Sequence, residues 1–507
     1  MDPVVIGLDS STTSTKAIAF DADGAIVAEG RAAIPMTNPQ LGHFEQAAAD
    51  WWRTAAEALK DCVAGLGGRQ VAGLAVSNQR ETVGVFDANG TEVRPAIQWL
   101  DERSRVEVRE LAEALGTERI HAITGRMPDL TPAIYAIAWV LKHEAHLKGR
   151  IAAFADVQSY LVRQLTGGGF RTGWPSADPL GLFDVEAKAW SAPILAELGL
   201  DAGMLPEAFA PGTELGRVTP EASARCGLDE GTPVYAGGGD GQMAGLGTNC
   251  TSPERAYINL GTAVVSGVWS PTYLYDRAWR TEIAAQGHGY IFENCLRSGT
   301  FLLNWFVDNF VPGGRDDPGV YARLEAEALA LPIGAEGVMV QPYWSGVMDP
   351  YWDVDARGVI LGLSASHGPA HIYRAVLEGI TLDQVMRTRS MEDAMGYEVE
   401  HYVAIGGGAA SPLWRQMLAD ASGKPVLIST TVEASCLGAA MVAAAGAGLH
   451  PSIEAAAAAM SGTTTAVAPD PTVSGRYDAL LGIYGDLYAA TETANQRLVA
   501  FAAGETA

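Results

Sequence analysis

Short apolar runs alternate with polar turns at the start of the chain. Residues 4–8, 16–20 and 25–29 are mainly apolar and predict three strands. Between them lie a hydroxyl-rich turn, DSSTTST at 9–15, and the turn DADG at 21–24. The pattern predicts a three-stranded antiparallel meander.

A second strand–turn–strand pattern occurs far along the chain. Residues 256–260 and 263–269 predict strands on either side of the turn Gly261-Thr262. Two such hairpins predict two similarly built domains. The pattern breaks near 245–253, so we expect an N-terminal domain at 1–248 and a C-terminal domain at 249–507.

Helical spacing fills much of the remaining sequence. The stretch 45–66 predicts a helix and 71–78 a buried strand, an alternation that indicates an α/β fold with parallel strands. The small residues of 432–448 predict a closely packed helix, and the alanines of 452–460 predict a surface helix. Further helices are predicted at 379–395, 412–421 and 476–501.

Composition narrows the class of protein. Of 507 residues, 48% are hydrophobic and 18% charged, which is typical of a globular protein. The net charge of -25 disfavours nucleic acid and anionic membranes as partners. The amino-terminal segment lacks the positive charge of a signal peptide, and no apolar run is long enough to span a membrane. We therefore expect a cytoplasmic protein.

The two hairpin turns are candidates for phosphate binding, although the sequence contains no GxxxxGK[ST] motif. Backbone amides and hydroxyls donate to phosphate without a positive surface, and Asp9 could hold Mg²⁺ through water. The alternative is an ordinary hairpin rich in Ser and Thr. In the first turn the candidate donors are Thr12, Thr13, Ser14 and Lys16.

A single carboxylate stands among glycines in GGGDGQMAGLG at 237–247. Asp240 could act as the general base that accepts a proton from a substrate hydroxyl, with the glycines leaving room for the reactants. The alternative is an aspartate that holds a turn through its own backbone amides.

Several motifs, taken in order, resemble the FGGY carbohydrate kinases, which include xylulokinases and glycerol kinases. They are GLDSSTTSTKA, GGGDGQMAGLG, INLGT, GVILGLSASHGPAHIYRAVLEG and IGGGAASPLWRQMLAD. The resemblance covers residues 4 to about 448. It implies an α/β protein with two actin-like (ribonuclease H-like) ATPase domains around a deep cleft, with ATP and Mg²⁺ as cofactors and domain closure that excludes water.

The resemblance also implies individual roles. Asp240 matches the catalytic base, and Asp9 matches the Mg²⁺-linked aspartate, with Asp240 as the second carboxylate at the metal. Thr12 and Thr13 match the first phosphate loop, and Gly261 and Thr262 match the second. The adenosine motif is matched by Gly407, Gly408 and Ala409.

The sugar site resembles two branches of the family. Arg80, Glu81 and Trp99 match the polyol-binding residues of glycerol kinases; the alternatives are a surface ion pair for Arg80-Glu81 and core packing for Trp99. The segments at 45–52, 342–358, 374–379 and 406–420 resemble xylulokinases instead. Departures from the expected patterns are Ser11, which would be strained if the turn needs positive φ, Thr131, Ala136 and Gly241.

These features predict ATP-dependent phosphorylation of a three- to five-carbon ketose or polyol. A pentulose such as D-xylulose is preferred over glycerol or an erythritol-type polyol. An alternative from another class is an actin-like ATPase that acts as a chaperone or sensor. Homodimers, which are frequent in the family, are possible.

Overall fold

A six-stranded mixed sheet organises the first half of the chain. The computed structural model describes residues 2–464, 466–502 and 504. The three amino-terminal strands form the predicted antiparallel meander, and two later strands extend the sheet in parallel with the first. In spatial order the strands are Glu214–Arg217, Pro233–Gly239, Val71–Asn78, Val4–Ser10, Ser14–Phe20 and Ile26–Ala33.

The second sheet repeats this arrangement. Its hairpin of Arg255–Leu260 and Val264–Ser270 has two antiparallel strands on one side and two parallel strands on the other. The two hairpins in sequence thus correspond to two sheets that share five strands in the same order and differ in which edge carries the sixth. In spatial order the strands are Arg280–Ile283, Tyr290–Leu296, Val264–Ser270, Arg255–Leu260, His401–Ile405 and Val426–Ile428.

A smaller sheet and three strand pairs accompany the two large sheets. The four-stranded sheet consists of Glu45–Gln46, Glu92–Ile97, Val83–Phe86 and Ala153–Ala155. The strand pairs are Phe183–Asp184 with Ala189–Trp190, Arg171–Gly173 with Glu207–Phe209, and Met339–Gln341 with Val359–Leu361.

Helices cover the sheets, and two predicted helices begin elsewhere. The helix predicted from residue 379 begins at Pro369, because proline is well suited to the first turn of a helix. The helix predicted from residue 45 begins at Ala48, because Glu45–Gln46 forms a strand. The segment at 452–460 is the predicted surface helix: Ala458 and Ala459 are exposed, while Ile453, Ala456 and Met460 are buried. The helices are Ala48–Ala64, Arg105–Leu115, Thr117–Thr124, Ala133–His143, Val157–Thr166, Trp174–Ala177, Ala192–Leu198, Pro220–Cys226, Asp240–Gly247, Thr300–Phe310, Val320–Leu329, Pro369–Met395, Pro412–Ser422, Ala434–Gly446, Ile453–Met460 and Ser474–Ala502. Within the described residues, no helix is both long and apolar enough to cross a membrane.

The helix Ala434–Gly446 lies against the first sheet although it comes from the second half of the chain. The predicted close packing is confirmed: a Cβ on Gly7 would lie 1.8 Å from the Cys436 carbonyl oxygen, and one on Gly438 would lie 1.9 Å from that of Met243. This helix therefore completes the core on one face of the first sheet, while the boundary at 245–253 stays a prediction.

Candidate active site

Three neighbouring parallel strands of the first sheet end at one edge. Asp9 pairs with Ser77 on the next strand, which in turn pairs with Gly238. Asp240 follows directly after this last strand, and Arg80 follows closely after the middle one. Ligands of α/β sheets bind outside such carboxyl ends, so the fold gathers these predicted residues at the expected edge.

Asp240 is the first residue of the helix Asp240–Gly247. Its Oδ1 accepts a hydrogen bond from the Gly241 amide at 2.9 Å and lies 3.3 Å from Arg80 Nε. The side chain is 37% exposed, but the surrounding protein withdraws it from bulk water, and this burial raises the pKa of Asp240 to about 7 despite Arg80. The carboxylate thus holds its own turn, as the alternative predicted, and also remains open to a ligand.

The glycines beside Asp240 make room for protein atoms. A Cβ on Gly239 would lie 2.5 Å from Arg80 Cγ, and one on Gly241 would lie 2.7 Å from Glu293 Oε2. These glycines therefore allow Arg80 and a carboxylate of the second sheet to approach the base. That they also leave room for the reactants stays a prediction.

Arg80 and Glu81 belong to a buried network of charges that joins the two halves. Arg80 Nη1 donates to Glu282 at 2.6 Å and lies 3.0 Å from Glu293 Oε1. Arg126 Nη1 donates to Glu81 at 3.1 Å. The surface ion pair considered for Arg80-Glu81 is therefore wrong, because neither residue pairs with the other and both are largely buried.

Sequence reasoning missed most of this network. Its additional members are Arg126, Asp178, Arg280, Glu282 and Glu293. A signal was present: Glu293 lies within the apolar strand YIFENCL, and Arg280 and Glu282 alternate along RTEI. Charged residues at buried strand positions demand partners, so these residues were recognisable as members of a network.

The carboxyl groups of the network differ in how strongly their surroundings favour the ionised form. Burial opposes ionisation of Glu293, but Arg80 and Arg280 together hold its pKa below the usual value. Burial raises the pKa of Asp178 and of Glu81, although nearby arginines act in the opposite direction. Glu293 is therefore the ionised partner of the arginines, whereas burial opposes ionisation of Asp178 and Glu81.

Asp9 lies at the same edge as Asp240 and is almost fully buried. Ser77 Oγ donates to its Oδ1 at 2.8 Å. Burial raises the pKa of Asp9 to about 6, while Ser77 and Lys16 lower it. The Asp9 charge also contributes to the raised pKa of Asp240, so the two carboxylates act on each other.

The first hairpin turn is tied to Trp99. Trp99 Nε1 donates to Thr12 Oγ1 at 2.9 Å, and the ring is only partly buried, outside the hydrophobic core clusters. The structure thus favours a site position over core packing for Trp99. Thr13 is exposed, and Ser14 begins the second strand.

Ser11 fits its turn without strain. Its amide and its Oγ both donate to the Ser14 carbonyl, at 3.0 and 2.9 Å, and its φ is not positive. The strain considered for this departure is therefore absent. Lys16, the predicted phosphate-binding cation, pairs with Glu433 Oε2 at 2.7 Å.

Two loops follow neighbouring parallel strands of the second sheet. The Gly261 carbonyl accepts from the Thr300 amide at 2.8 Å, and the exposed Thr262 stands beside it. Gly407 is exposed, with open space where a Cβ would lie. Gly408 and Ala409 are buried instead, with Gly408 against Trp414, so Gly407 is the member of the predicted adenosine motif that a ligand could reach.

The remaining departures lie in the first half. Thr131 Oγ1 donates to Asp129 at 3.4 Å. Ala136 is buried in the helix Ala133–His143, where a lysine would carry its charge into a core. Among the described residues, no group of three or more His, Cys, Asp or Glu side chains is placed to hold a metal ion.

Comparison with known families gives two matches that together span most of the chain. The N-terminal domain of the FGGY family of carbohydrate kinases matches residues 4–247, and the C-terminal domain of the same family matches residues 256–447.

Curated relatives and solved structures agree with these matches. A xylulose kinase of Lactococcus lactis subsp. lactis is 30% identical over 98% of this chain and 99% of its own. A glycerol kinase of Symbiobacterium thermophilum is 32% identical over 87% of this chain and 89% of its own. The crystal structure of xylulose kinase from Rhodospirillum rubrum superposes with a TM-score of 0.91 at 29% identity, covering 97% of this chain and 99% of that one.

Proposed function

Because the chain belongs to the FGGY family of carbohydrate kinases, we propose that it transfers the γ-phosphate of ATP to a hydroxyl of a pentulose such as D-xylulose. The observation that carries the chemistry is Asp240, exposed at the sheet edge between the two halves and 3.3 Å from Arg80. A carboxylate so placed can accept the proton of an attacking hydroxyl.

The residues of the first sheet supply the proposed chemistry. Asp240 is the general base, and Arg80, Glu81 and Trp99 orient the sugar, with the indole of Trp99 covering its carbon chain. Since Arg80 Nη1 is already held by two carboxylates, Arg80 meets the sugar in one fixed orientation. Thr12, Thr13, Ser14 and Lys16 receive the phosphates from this side.

The second sheet supplies the proposed nucleotide site. Gly261 and Thr262 hold phosphate oxygens from the other side, and Gly407 contacts the adenosine while Gly408 and Ala409 support the loop. An enzyme that uses ATP and small sugars is expected to work in the cytoplasm.

The donor set of Asp9 and Asp240 fits Mg²⁺. Both groups offer hard oxygen ligands at the same sheet edge, and burial raises the pKa of each. Bound Mg²⁺ would neutralise charge on the phosphates and on these two carboxylates.

We prefer a pentulose because of how much of the chain the xylulose kinase relative matches, and not because of its percentage of identical residues. The xylulose kinase relative matches almost the whole chain, whereas the glycerol kinase relative matches a shorter part at similar identity. A glycerol- or erythritol-type polyol is the second candidate, because Arg80, Glu81 and Trp99 follow that pattern.

A substrate panel tests the proposal. ADP release is coupled to an optical assay with glycerol, erythritol, xylulose, ribulose and their isomers, and the substrates are compared by kcat/KM. We expect D-xylulose to give the highest value. A clear preference for glycerol or erythritol would replace the pentulose by a polyol and leave the kinase assignment intact.

The Asp240→Asn variant tests the base. Asparagine keeps the size of the side chain but cannot take up the proton, so kcat is expected to fall by about 10²–10⁴ while ADP binding persists. Asp486→Asn, an exposed change on the final helix, serves as the control and is expected to behave as wild type. Normal turnover by Asp240→Asn would refute the assignment.

The chaperone or sensor alternative makes the opposite forecast. ATP hydrolysis would then be indifferent to every sugar and polyol in the panel and would rise with a protein partner. The buried network that fixes Arg80 beside Asp240 favours the kinase, because a small polar substrate needs such fixed groups.

A further inference from the structure

Glu433 lies where the second half of the chain meets the first hairpin. Its Oε2 is 2.7 Å from Lys16 Nζ, and its Oε1 is 2.9 Å from Arg31 Nη2. The side chain is only 11% exposed. A largely buried carboxylate thus holds two cations that stand on neighbouring strands of the first sheet.

The position of Glu433 is fixed by the helix that follows it. Ala434–Gly446 packs tightly on the first sheet, and Ser435 Oγ donates to the Asp240 carbonyl at 3.1 Å. The same short segment therefore contacts the strand that carries Lys16 and the helix that carries the proposed base. Because Glu433 directly precedes this packed helix, its backbone is held beside Lys16.

Electrostatics make this carboxylate a competitor of phosphate. The proposed nucleotide site needs the Lys16 ammonium to face phosphate oxygens, yet that ammonium is already paired with Glu433. Glu433 also adds negative charge near Asp9. A phosphate that approaches Lys16 must share the cation with a fixed carboxylate and is repelled by it.

We infer that Glu433 weakens nucleotide binding by competing with the phosphates for Lys16, and so keeps ADP from being held too tightly after transfer. The inference rests on the proposed function, because it takes Lys16 as a phosphate-binding residue. Glu433 is a positioning residue in this scheme: it acts through Lys16 and contacts no substrate atom.

Binding of Mg-ADP to the full-length protein, measured by isothermal titration calorimetry, tests the inference. Glu433→Gln keeps the shape of the side chain and removes its charge. We expect this variant to bind Mg-ADP about three- to tenfold more tightly than wild type. The KM for ATP is expected to fall likewise, with the KM for the sugar unchanged. Glu433→Asp keeps the charge and is expected to remain near wild type.

Two controls separate this effect from general changes of charge or stability. Glu29→Gln removes another carboxylate that contacts Arg31 but not Lys16, and we expect no change in Mg-ADP affinity. In a protein that also carries Lys16→Met, Glu433→Gln is expected to leave Mg-ADP affinity unchanged. The cation for which Glu433 and phosphate compete is then absent.

Several outcomes would overturn the inference. Unchanged or weaker Mg-ADP binding by Glu433→Gln would do so, as would equal tightening in the Lys16→Met background. If Glu433→Gln does not fold, the same comparison with wild type is made with Glu433→Ala. Weaker Mg-ADP binding by Glu433→Ala would contradict the inference. Wild type that bound no Mg-ADP and phosphorylated no sugar would refute the proposed function itself.

Discussion

Asp240 has to be ionised before it can accept a proton from a substrate, and its environment makes ionisation difficult. Burial raises its pKa to about 7, so the competent fraction falls as the pH drops. We expect kcat/KM for the sugar to decline as the pH falls below about 7, first through Asp240 and then through Asp9, whose pKa is about 6. The measurement is a pH profile of kcat/KM from pH 5 to 9, and a profile that stays flat to pH 5 would contradict the role of Asp240.

Substitution of Arg80 tests in which direction the pKa of Asp240 changes. Its guanidinium favours the ionised form of Asp240, so Arg80→Gln is expected to raise the pKa and move the acidic limb to higher pH. The position of the limb is read separately from the overall loss of activity. Arg53→Gln removes an exposed arginine from a surface helix and is expected to leave the limb in place; a limb that shifts equally in both variants would contradict the coupling.

Among individual residues, the sequence identified as site candidates those that lie within recognisable motifs. Asp9, Thr12 and Asp240 sit beside turns and glycines that mark the ends of strands, and the structure gathers Asp9 and Asp240 at one edge. The partners of Glu282, Glu293 and Glu433 could not be predicted, because they lie far away in the chain and meet these residues only after folding.

Helix Ala434–Gly446 is packed so closely that it leaves no room for added volume. A Cβ on Gly438 would approach a backbone oxygen of the helix Asp240–Gly247 to 1.9 Å, and backbone cannot move aside cheaply. Gly438→Ala is expected to destabilise the protein by about 1–3 kcal/mol, measured from urea midpoints.

The matched control is a glycine in open surroundings. Gly485 lies in the final helix with nothing near the position of its Cβ, so Gly485→Ala is expected to be neutral or to stabilise by up to about 1 kcal/mol. If Gly438→Ala were as well tolerated as Gly485→Ala, the close packing of this helix would be disproved.

Element prediction succeeded where the pattern carried geometric information. Both hairpins have turns rich in Ser, Thr or Gly between apolar runs, and both occur as predicted. At 453–460 the surface helix was predicted but its buried face was not, because a run of alanines does not distinguish one face of a helix from another. The start at Pro369 was missed because the glycine-rich segment before it gives no helical period.

Contacts at several places join the two halves of the molecule, and two of them are extensive. One is the buried network through Arg80, Glu282 and Glu293, and the other is the helix Ala434–Gly446 on the first sheet. We expect a fragment of residues 1–248 to fail to fold on its own, because apolar residues such as Val5, Ile18 and Phe20 would lose their cover.

Size-exclusion chromatography and dye binding on the purified fragment check this expectation. Aggregation or strong binding of a hydrophobic dye is the expected result. A monomeric fragment with a cooperative unfolding transition would contradict it and would support independent domains divided near residue 248. The confirmed fold class, two actin-like α/β domains of the FGGY type, followed from the motifs. The sequence pattern did not show that a helix from the second half covers the sheet of the first half.

Placement of that helix near the end of the chain also affects biosynthesis. Ribosomes release the amino-terminal half first, yet its sheet stays bare on one face until Ala434–Gly446 has been translated. At about 5–20 residues per second the delay amounts to roughly 10–40 seconds. During that interval the nascent polypeptide presents an uncovered apolar surface, and such surfaces make incompletely folded chains prone to aggregate.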